Sequence, residues 1–574
     1  MVAWSDVVLW RAAHIETVQD DASAARKAAR EQVQELEAHY NRIASQGLAI
    51  DAMRQALSRV QDELDHAVNA ISAYMLACAE AIDGVRVVEA KVKSALEISE
   101  EIGCTIYDDG SVSIPYIDLS DAVRYGKADV LLGKSNELHM CIADALSIAR
   151  KVDEELRRKL QELAEDRFEQ NGPKEGRHSA SPGLPDDADE SWSPSEVSAW
   201  WGALTDEERQ ACIERDPLKY GNLDGIDMAS RDKANRMALY GYDTGGNASI
   251  RLGSTGLLQQ AQDKFDQAQA AYDDCVGAHG LFSDEAMALK ADRDRAGRDL
   301  ADLQKIDERL RKGAGEDGKP LSLLALDTSG EQVKAAVAVG DVDHAQHVAN
   351  FTPGMGTNVR DSLDNYVDVA DRMRTNAADQ AEVRPSDVAV VAWLNYDAPT
   401  DVTKTFDPSV ASTEKAHAGA DRLAGFLTGV RSWRDEQGGS LHLTSVSHSY
   451  GSTTAGFAMR QVGEGVVDDH IYLGSPGSAA YTVGALGVDP SHVWVSAVPE
   501  GDMVQGMGPD ITFGRNPEQL EGIQHLSGDA TGAQGYDPQP SWPVANHSSY
   551  FAPPKPGERN KVFDDICSVV VGVK

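Results

Sequence analysis

The sequence predicts an α/β domain with a mainly parallel sheet, preceded by a long α-helical hairpin. Three observations carry this. The first 100 residues hold an unbroken apolar ladder at helical spacing, and no proline occurs before Pro115. Beyond about residue 320, short Val- and Ala-rich runs alternate with amphipathic stretches, the texture of buried strands between helices. Between the two lies a stretch rich in Pro, Gly, Ser and Asp with no periodicity.

In chain order, the ladder is Leu57, Val60, Leu64, Ala67, Ile71, Tyr74, Cys78, Ala81, Val85, Val88 and Val92. Steps of three and four keep these residues on one narrow seam, which suits a two-helix contact. Val33, Leu36, Tyr40 and Ile43 share the spacing and form the expected partner, with Gly47 at the turn. A short β excursion around Asp109-Gly110 and a further helix over about 118–168 complete a helical domain over 1–170. Residues 171–192 read as a flexible linker. Over 193–315 the sequence predicts helices that pack on the α/β domain. Ser193-Pro194 with Glu196 starts one, and Thr205 with Glu208 starts another. A second hairpin has one arm through Leu258, Phe265 and Tyr272 and the other through Leu300, Leu303, Ile306 and Leu310. The α/β domain takes 316–574.

Composition excludes some functions. Lys plus Arg is 54 and Asp plus Glu is 92, so the net charge is 54 − 92 = −38, which repels nucleic acids and anionic membranes. No apolar run has the length of a membrane span. The N-terminus lacks the basic and apolar regions of a signal peptide, so the expected location is cytoplasmic, or outside by a route without a cleavable signal. The six cysteines form no CxxC pair, and no metal-ligand spacing occurs. Reduced thiols, no metal and no cofactor are expected.

One motif carries chemistry. The strand-like Leu441-His442-Leu443-Thr444-Ser445-Val446 runs into Ser447-His448-Ser449-Tyr450-Gly451, and a helix follows. Small residues two before and two after a serine let strand and helix approach closely, the pattern of a nucleophile elbow. Ser447 stands where glycine is usual. A base and an orienting acid are expected later in the chain, acid first. Asp502 follows a buried run in HVWVSAVPEGDMV, with Glu500 as the rival acid. His547 lies in VANHSSYF, with His525 as the rival base. An oxyanion hole needs the N–H of Tyr450 and a second N–H from an earlier strand's loop. Pro353-Gly354-Met355-Gly356-Thr357 offers Met355. Gly474-Ser475-Pro476-Gly477 reads as a bend.

The segments WWGALTDEERQACIERDP, YGNLDGIDMASRDKANR, FTPGMGT, VVAWLNYDAP, SVSHSYGSTTAG, LGSPG, PEGDMV and HSSYF together resemble an uncharacterised actinobacterial α/β-hydrolase family. Its members often carry an N-terminal helical region similar to WXG-type secretion-associated hairpins. The resemblance covers about 195–574. Over the first 170 residues it is one of architecture, with no WXG tripeptide at a hairpin turn. It implies an α/β-hydrolase fold, a triad of Ser449, Asp502 and His547, and a link to type VII secretion. The Tyr-x-x-x-acid matches at Tyr125–Asp129 and Tyr220–Asp224 are as many as chance provides in so acidic a chain. The expected activity is serine hydrolysis of an ester, thioester or amide. The substrate is a small-molecule or lipid-like acyl compound, and residues 1–170 are open to a helical partner. The competing reading is an interaction protein whose hydrolase fold is inert. Fluorophosphonate labelling separates the two.

Overall fold

Long helices form where the first hundred residues lack prolines and carry apolar residues every three or four positions. In the computed structural model, which describes all residues except 1, 43–46, 114–127, 166–186, 190, 242–254, 316, 401–407 and 499, the chain divides into two units, Met1–Cys212 and Ile213–Lys574.

In the first unit, α1 spans Ala12–Arg42, α2 Leu48–Ile102 and α3 Ala128–Ala164. Gly47 precedes α2 at φ 135°, and Gly103 ends it in the left-handed conformation, which costs glycine little. A two-residue antiparallel ladder joins Thr105–Ile106 to Val112–Ser113. The expected two-helix seam is corrected: α2 packs against both α1 and α3. The reason is that α2 buries more than the ladder. Val68, Met75, Ala79 and Ile82 lie off it and are also buried, widening the apolar face until it serves two neighbours. Val88, Val92, Ala95 and Ile98 meet Leu138, Cys141, Ile142 and Ala145 of α3. At the other end of α2 the ladder thins out, and Val60 is exposed.

The next segment departs from the expected boundary. Helix α4, Pro194–Ala203, starts on a capping box: Glu196 N–H donates to Ser193 Oγ and Ser193 N–H to the Glu196 carboxylate. It packs on α2. Ser195 donates both its N–H and its hydroxyl to Asp83. Lys159 bridges Glu80 at 2.6 Å and Glu196 at 3.1 Å. Trp200 and Trp201 are fully buried. Residues 193–212 therefore belong to the helical unit. The expected linker lies almost entirely outside the described residues.

In the second unit, α5, Met228–Tyr240, caps the sheet's edge. The edge strand β1, Leu321–Asp327, presents Leu323 and Leu324 carbonyls that accept from Asn235 and Arg231, while Leu323 N–H donates to Asp232. Asn222 likewise accepts from Leu326 N–H and donates to its carbonyl. The YGNLDGIDMASRDKANR segment thus covers a strand edge that would otherwise be open to pairing. Helices α6, Leu257–His279, and α7, Asp284–Lys312, pack on each other, and Leu303, Ile306 and Leu310 enter the core.

The remaining strands are β2 Lys334–Val339, β3 His347–Thr352, β4 Val388–Leu394, β5 His442–His448, β6 Asp469–Leu473, β7 Val493–Ser496 and β8 Gln524–His525. Across the sheet they run 1-2-4-3-5-6-7-8. Strand β2 is antiparallel to both neighbours, and all other pairs are parallel. Helices α8, Val359–Ala381, and α11, Lys561–Val570, contribute to the core on one face. Helices α9, Glu414–Glu436, and α10, Tyr450–Met459, contribute to the core on the other. Parallel strands covered on both faces leave the carboxyl edge of β3, β5, β6 and β7 as the place for a site. Among the described residues no helix is long and apolar enough to cross a membrane.

Two outcomes are expected for the helical unit. Val88→Asp places a charge in the buried contact between α2 and α3 and should cost about 3 kcal/mol or more, read as loss of helical ellipticity at lower temperature. Burial raises the carboxyl pKa of Glu196 to about 7 despite the Lys159 charge beside it. Asp83 is raised by burial too. A carboxyl raised on folding stabilises the folded form below its unfolded pKa and loses that contribution as pH rises through the folded value. For Glu196 that window runs from about 4.5 to about 7. Helix α4 should therefore hold more tightly at pH 5.5 than at pH 8, and Glu196→Gln should shrink the difference in protease resistance of this unit between those pH values.

Candidate active site

Strand β5 ends at His448, and helix α10 begins at Tyr450, so a single residue, Ser449, makes the turn. It does so at φ 57°, ψ −138°, one of three non-glycine residues with positive φ among those described. The close approach that this requires is visible in the neighbours. A Cβ on Gly451 would sit 2.2 Å from the Pro353 carbonyl oxygen, and one on Gly354 2.5 Å from Ser449 Cβ. Neither could be accommodated without moving backbone. Ser447, at the position where glycine is usual, is buried, and its hydroxyl donates to the Ile471 carbonyl on β6 at 2.8 Å. A serine is accepted there because its polar atom has a partner.

The turn after β3 reaches over this elbow. Tyr396 donates its hydroxyl to the Pro353 carbonyl at 2.7 Å, and Gly356 N–H donates to Pro399 at 2.7 Å. Tyr450 N is the first amide of α10, and a Cβ on Gly354 would lie 2.9 Å from it. The Met355 N–H has no hydrogen-bond partner among the described residues. The Tyr450 ring is anchored away from the elbow, its hydroxyl donating to Ser412 O and accepting from Ala416 N–H.

Asp502 and His547 meet at 2.8 Å, Oδ1 to Nδ1. The Asp502 side chain is fully buried. Burial opposes its ionisation, but hydrogen bonds from His547 and Tyr550 outweigh that and hold its pKa below the ordinary carboxylate value. An ionised carboxylate can only accept, so Nδ1 donates to it and Nε2 is the ring nitrogen left facing away from the acid. That Nε2 is buried and has no hydrogen-bond partner among the described residues. Ser449 Oγ does not donate to it in this conformation, so the expected serine–histidine hydrogen bond is not formed, while the acid–histidine contact is. The carboxyl end of β6 lies against both residues. Ser449 N–H donates to Leu473 O at 3.0 Å, and the next residue, Gly474, backs onto the imidazole: a Cβ there would lie 3.0 Å from His547 Nδ1. The bend expected at Gly474 is thus a wall of the site.

Of the rivals, Glu500 is exposed, with only its carbonyl engaged by Asn546. His525 lies in β8 and is exposed.

Three residues around this pair escaped the sequence reading. Tyr550 donates its hydroxyl to Asp502 Oδ2 at 2.7 Å and accepts from Val498 N–H. Its phenol pKa is raised well above the usual value, by burial first and by the Asp502 charge next. Asn546 is buried and ties the histidine loop to the acid loop, donating to Glu500 O and Asp537 O at 2.8 Å each. His448 donates Nε2–H to the His547 carbonyl at 2.7 Å, with ring centroids 4.5 Å apart. Burial, then the neighbouring imidazole, push its pKa down to about 3, so it stays neutral and braces His547 from the strand side. The signal for the first two was their closeness in sequence to His547. The partners in the acid loop were out of reach, Asp502 lying 48 residues from Tyr550 and Glu500 46 from Asn546. Among the described residues no cluster of His, Cys, Asp or Glu suits a metal ion, and all six cysteines are free thiols.

Residues 328–512 match a family model described as alpha/beta hydrolase. The chain is 29% identical over 342 residues to "Uncharacterized protein Rv2079" of Mycobacterium tuberculosis, covering 57% of this chain and 47% of the relative. It therefore spans about half the length of that relative. It is 32% identical over 235 residues to "Uncharacterized protein Rv0963c" of the same organism, covering 40% of this chain and 83% of the relative. "Uncharacterized protein Mb0988c" of Mycobacterium bovis matches to the same extent.

Tyr550→Phe removes the donor from the buried Asp502 Oδ2. The expected result is a loss of about 1–3 kcal/mol in denaturant unfolding of the α/β unit, with no change in helical content.

Proposed function

The chain belongs to an uncharacterised actinobacterial α/β-hydrolase family, and from that premise we propose that it is a serine hydrolase acting on an ester, thioester or amide. One observation carries the reading. The buried Asp502–His547 pair leaves a buried histidine nitrogen without a hydrogen-bond partner among the described residues, at the same sheet edge as a serine on a strained strand-to-helix turn.

In this reading Ser449 Oγ attacks the substrate carbonyl and its proton passes to His547 Nε2. Asp502 keeps the imidazole in the required tautomer and stabilises the imidazolium, and Tyr550 keeps the carboxylate ionised and in place. Backbone N–H groups of Tyr450 and Met355 donate to the oxyanion, each contributing about 3–4 kcal/mol if comparable to known donors. His547 then protonates the leaving group, and water, activated by the same nitrogen, releases the acyl group from Ser449. The Ser449–His547 hydrogen bond forms once substrate fills the space above the elbow, as catalytic contacts commonly tighten on binding.

A second reading makes the helical unit the functional part, binding a helical partner or export machinery, with the α/β unit inert. Exposed Leu48, Met53 and Val60 near the start of α2 favour it.

Labelling with a fluorophosphonate probe decides between them. The wild-type chain should label at Ser449 and Ser449→Ala should not, with unchanged thermal stability. His547→Ala should lower short-ester turnover by about the same factor as Ser449→Ala, because triad losses are not additive. Asp502→Asn should cost less. A folded wild-type chain that fails to label belongs to the second reading.

A further inference from the structure

The two loops that carry Asp502 and His547 expose an unusual set of side chains. Met503 is 63% exposed, Met507 68%, Ile511 86% and Trp542 59%. Large apolar groups gathered on one surface ordinarily mark a place where something apolar binds. These are not on loose chain. Met503 N–H donates to Pro543 O at 3.0 Å, joining the acid loop to the histidine loop beside Trp542. Gly506 N–H donates to Ser475 O at 2.7 Å and Gly508 N–H to Pro476 O at 2.9 Å. The Met507 turn is thereby pinned to the bend that begins at Gly474, the residue against the His547 ring. Ile511 sits on a short helical turn whose Phe513 packs edge-on against Tyr450, the residue after the candidate nucleophile.

The charges of these loops complete the argument. Residues 500–514 contain Glu500, Asp502 and Asp510 and no Lys or Arg, and residues 537–546 contain Asp537 and no Lys or Arg. The next cation along the chain, Arg515, is half-buried with its backbone bonded to Ser478 and Ala480, and a chain of net charge −38 repels polyanions. A patch of this composition suits an apolar, uncharged group.

We propose that Met503, Met507, Ile511 and Trp542 form the acyl-chain subsite, so that the substrate is a neutral ester carrying a medium or long hydrocarbon chain. This rests on the serine-hydrolase reading. The carbonyl carbon sits over Ser449, and the chain runs out along the methionines and the tryptophan. Flexible, polarisable Met side chains tolerate chains of varied length, and Trp offers a broad apolar face.

The test uses the full chain and two fluorophosphonates that differ only in the alkyl group, ethyl or decyl. Each buried methylene contributes roughly fourfold, so even partial contact should make decyl labelling of Ser449 faster by about tenfold or more. Met507→Ser with Trp542→Ser should bring the decyl-to-ethyl ratio to about threefold or less, since the removed contacts act only on the longer chain. Equal rates for the two probes at Ser449 in the wild type overturn the subsite and leave the hydrolase reading standing. No labelling at Ser449 by either probe overturns both. A double variant that changes the oligomeric state and keeps the wild-type ratio shows that the patch meets a second copy of the chain, and this too overturns the proposal.

Discussion

Everything at the carboxyl edge of the sheet depends on one tight crossing, where the turn after β3 passes over the start of α10. Ser449 is held at φ 57°, ψ −138°, a conformation that costs a non-glycine residue about 1–3 kcal/mol. The cost is borne because the surroundings leave no alternative. Gly451 lies under the Pro353 carbonyl, Gly354 lies against Ser449 itself, and Ser449 N–H is fixed to Leu473 O. The same crossing sets Gly354 against the first amide of α10. Strain at the serine and this close approach are thus two results of a single packing constraint.

Around that crossing the polar groups are layered. The His547 ring has Asp502 at Nδ1 and Gly474 alongside, and a permanently neutral His448 holds its backbone carbonyl. Asp502 in turn is shared by His547 and Tyr550. Each buried polar atom in this stack has a partner except His547 Nε2. In a low-dielectric interior an unpaired nitrogen is costly. The helical unit solves a different problem. There, buried acids such as Asp83 and Glu196 join α4 to α2 and α3 through Ser195 and Lys159, so its cohesion is partly ionic.

Local pattern was legible in the sequence, and long-range contact was not. The alternation of strands and helices was readable because a parallel sheet buried on both faces leaves continuous apolar runs. The elbow was readable because its steric demands fall within five residues, Ser447 to Gly451. The choice between Asp502 and Glu500 was not, since both lie in one loop and only burial distinguishes them. Tyr550 and His448 act on partners about 50 and 100 residues away, so no spacing rule reaches them. The domain boundary was misplaced for the same reason. A proline- and serine-rich stretch suggested a linker over 171–192 and an end of the helical domain at residue 170, but the Asp83–Ser195 contact, spanning 112 positions, carries α4 back to the helices. The two-sided burial of α2 was missed because a ladder picks out one face, and residues off the ladder were not weighed.

The order in which the ribosome delivers these parts has its own consequence. The elbow leaves the ribosome before Asp502, and Asp502 before His547. Helix α11, whose Val562, Ile566, Cys567 and Val570 fill the core behind β5, comes later still. Until those last segments arrive, Ser449 has neither its neighbouring imidazole nor the packing that holds its strand. The Ser449, Asp502 and His547 side chains therefore come together only after the strands and helix α11 have all been delivered.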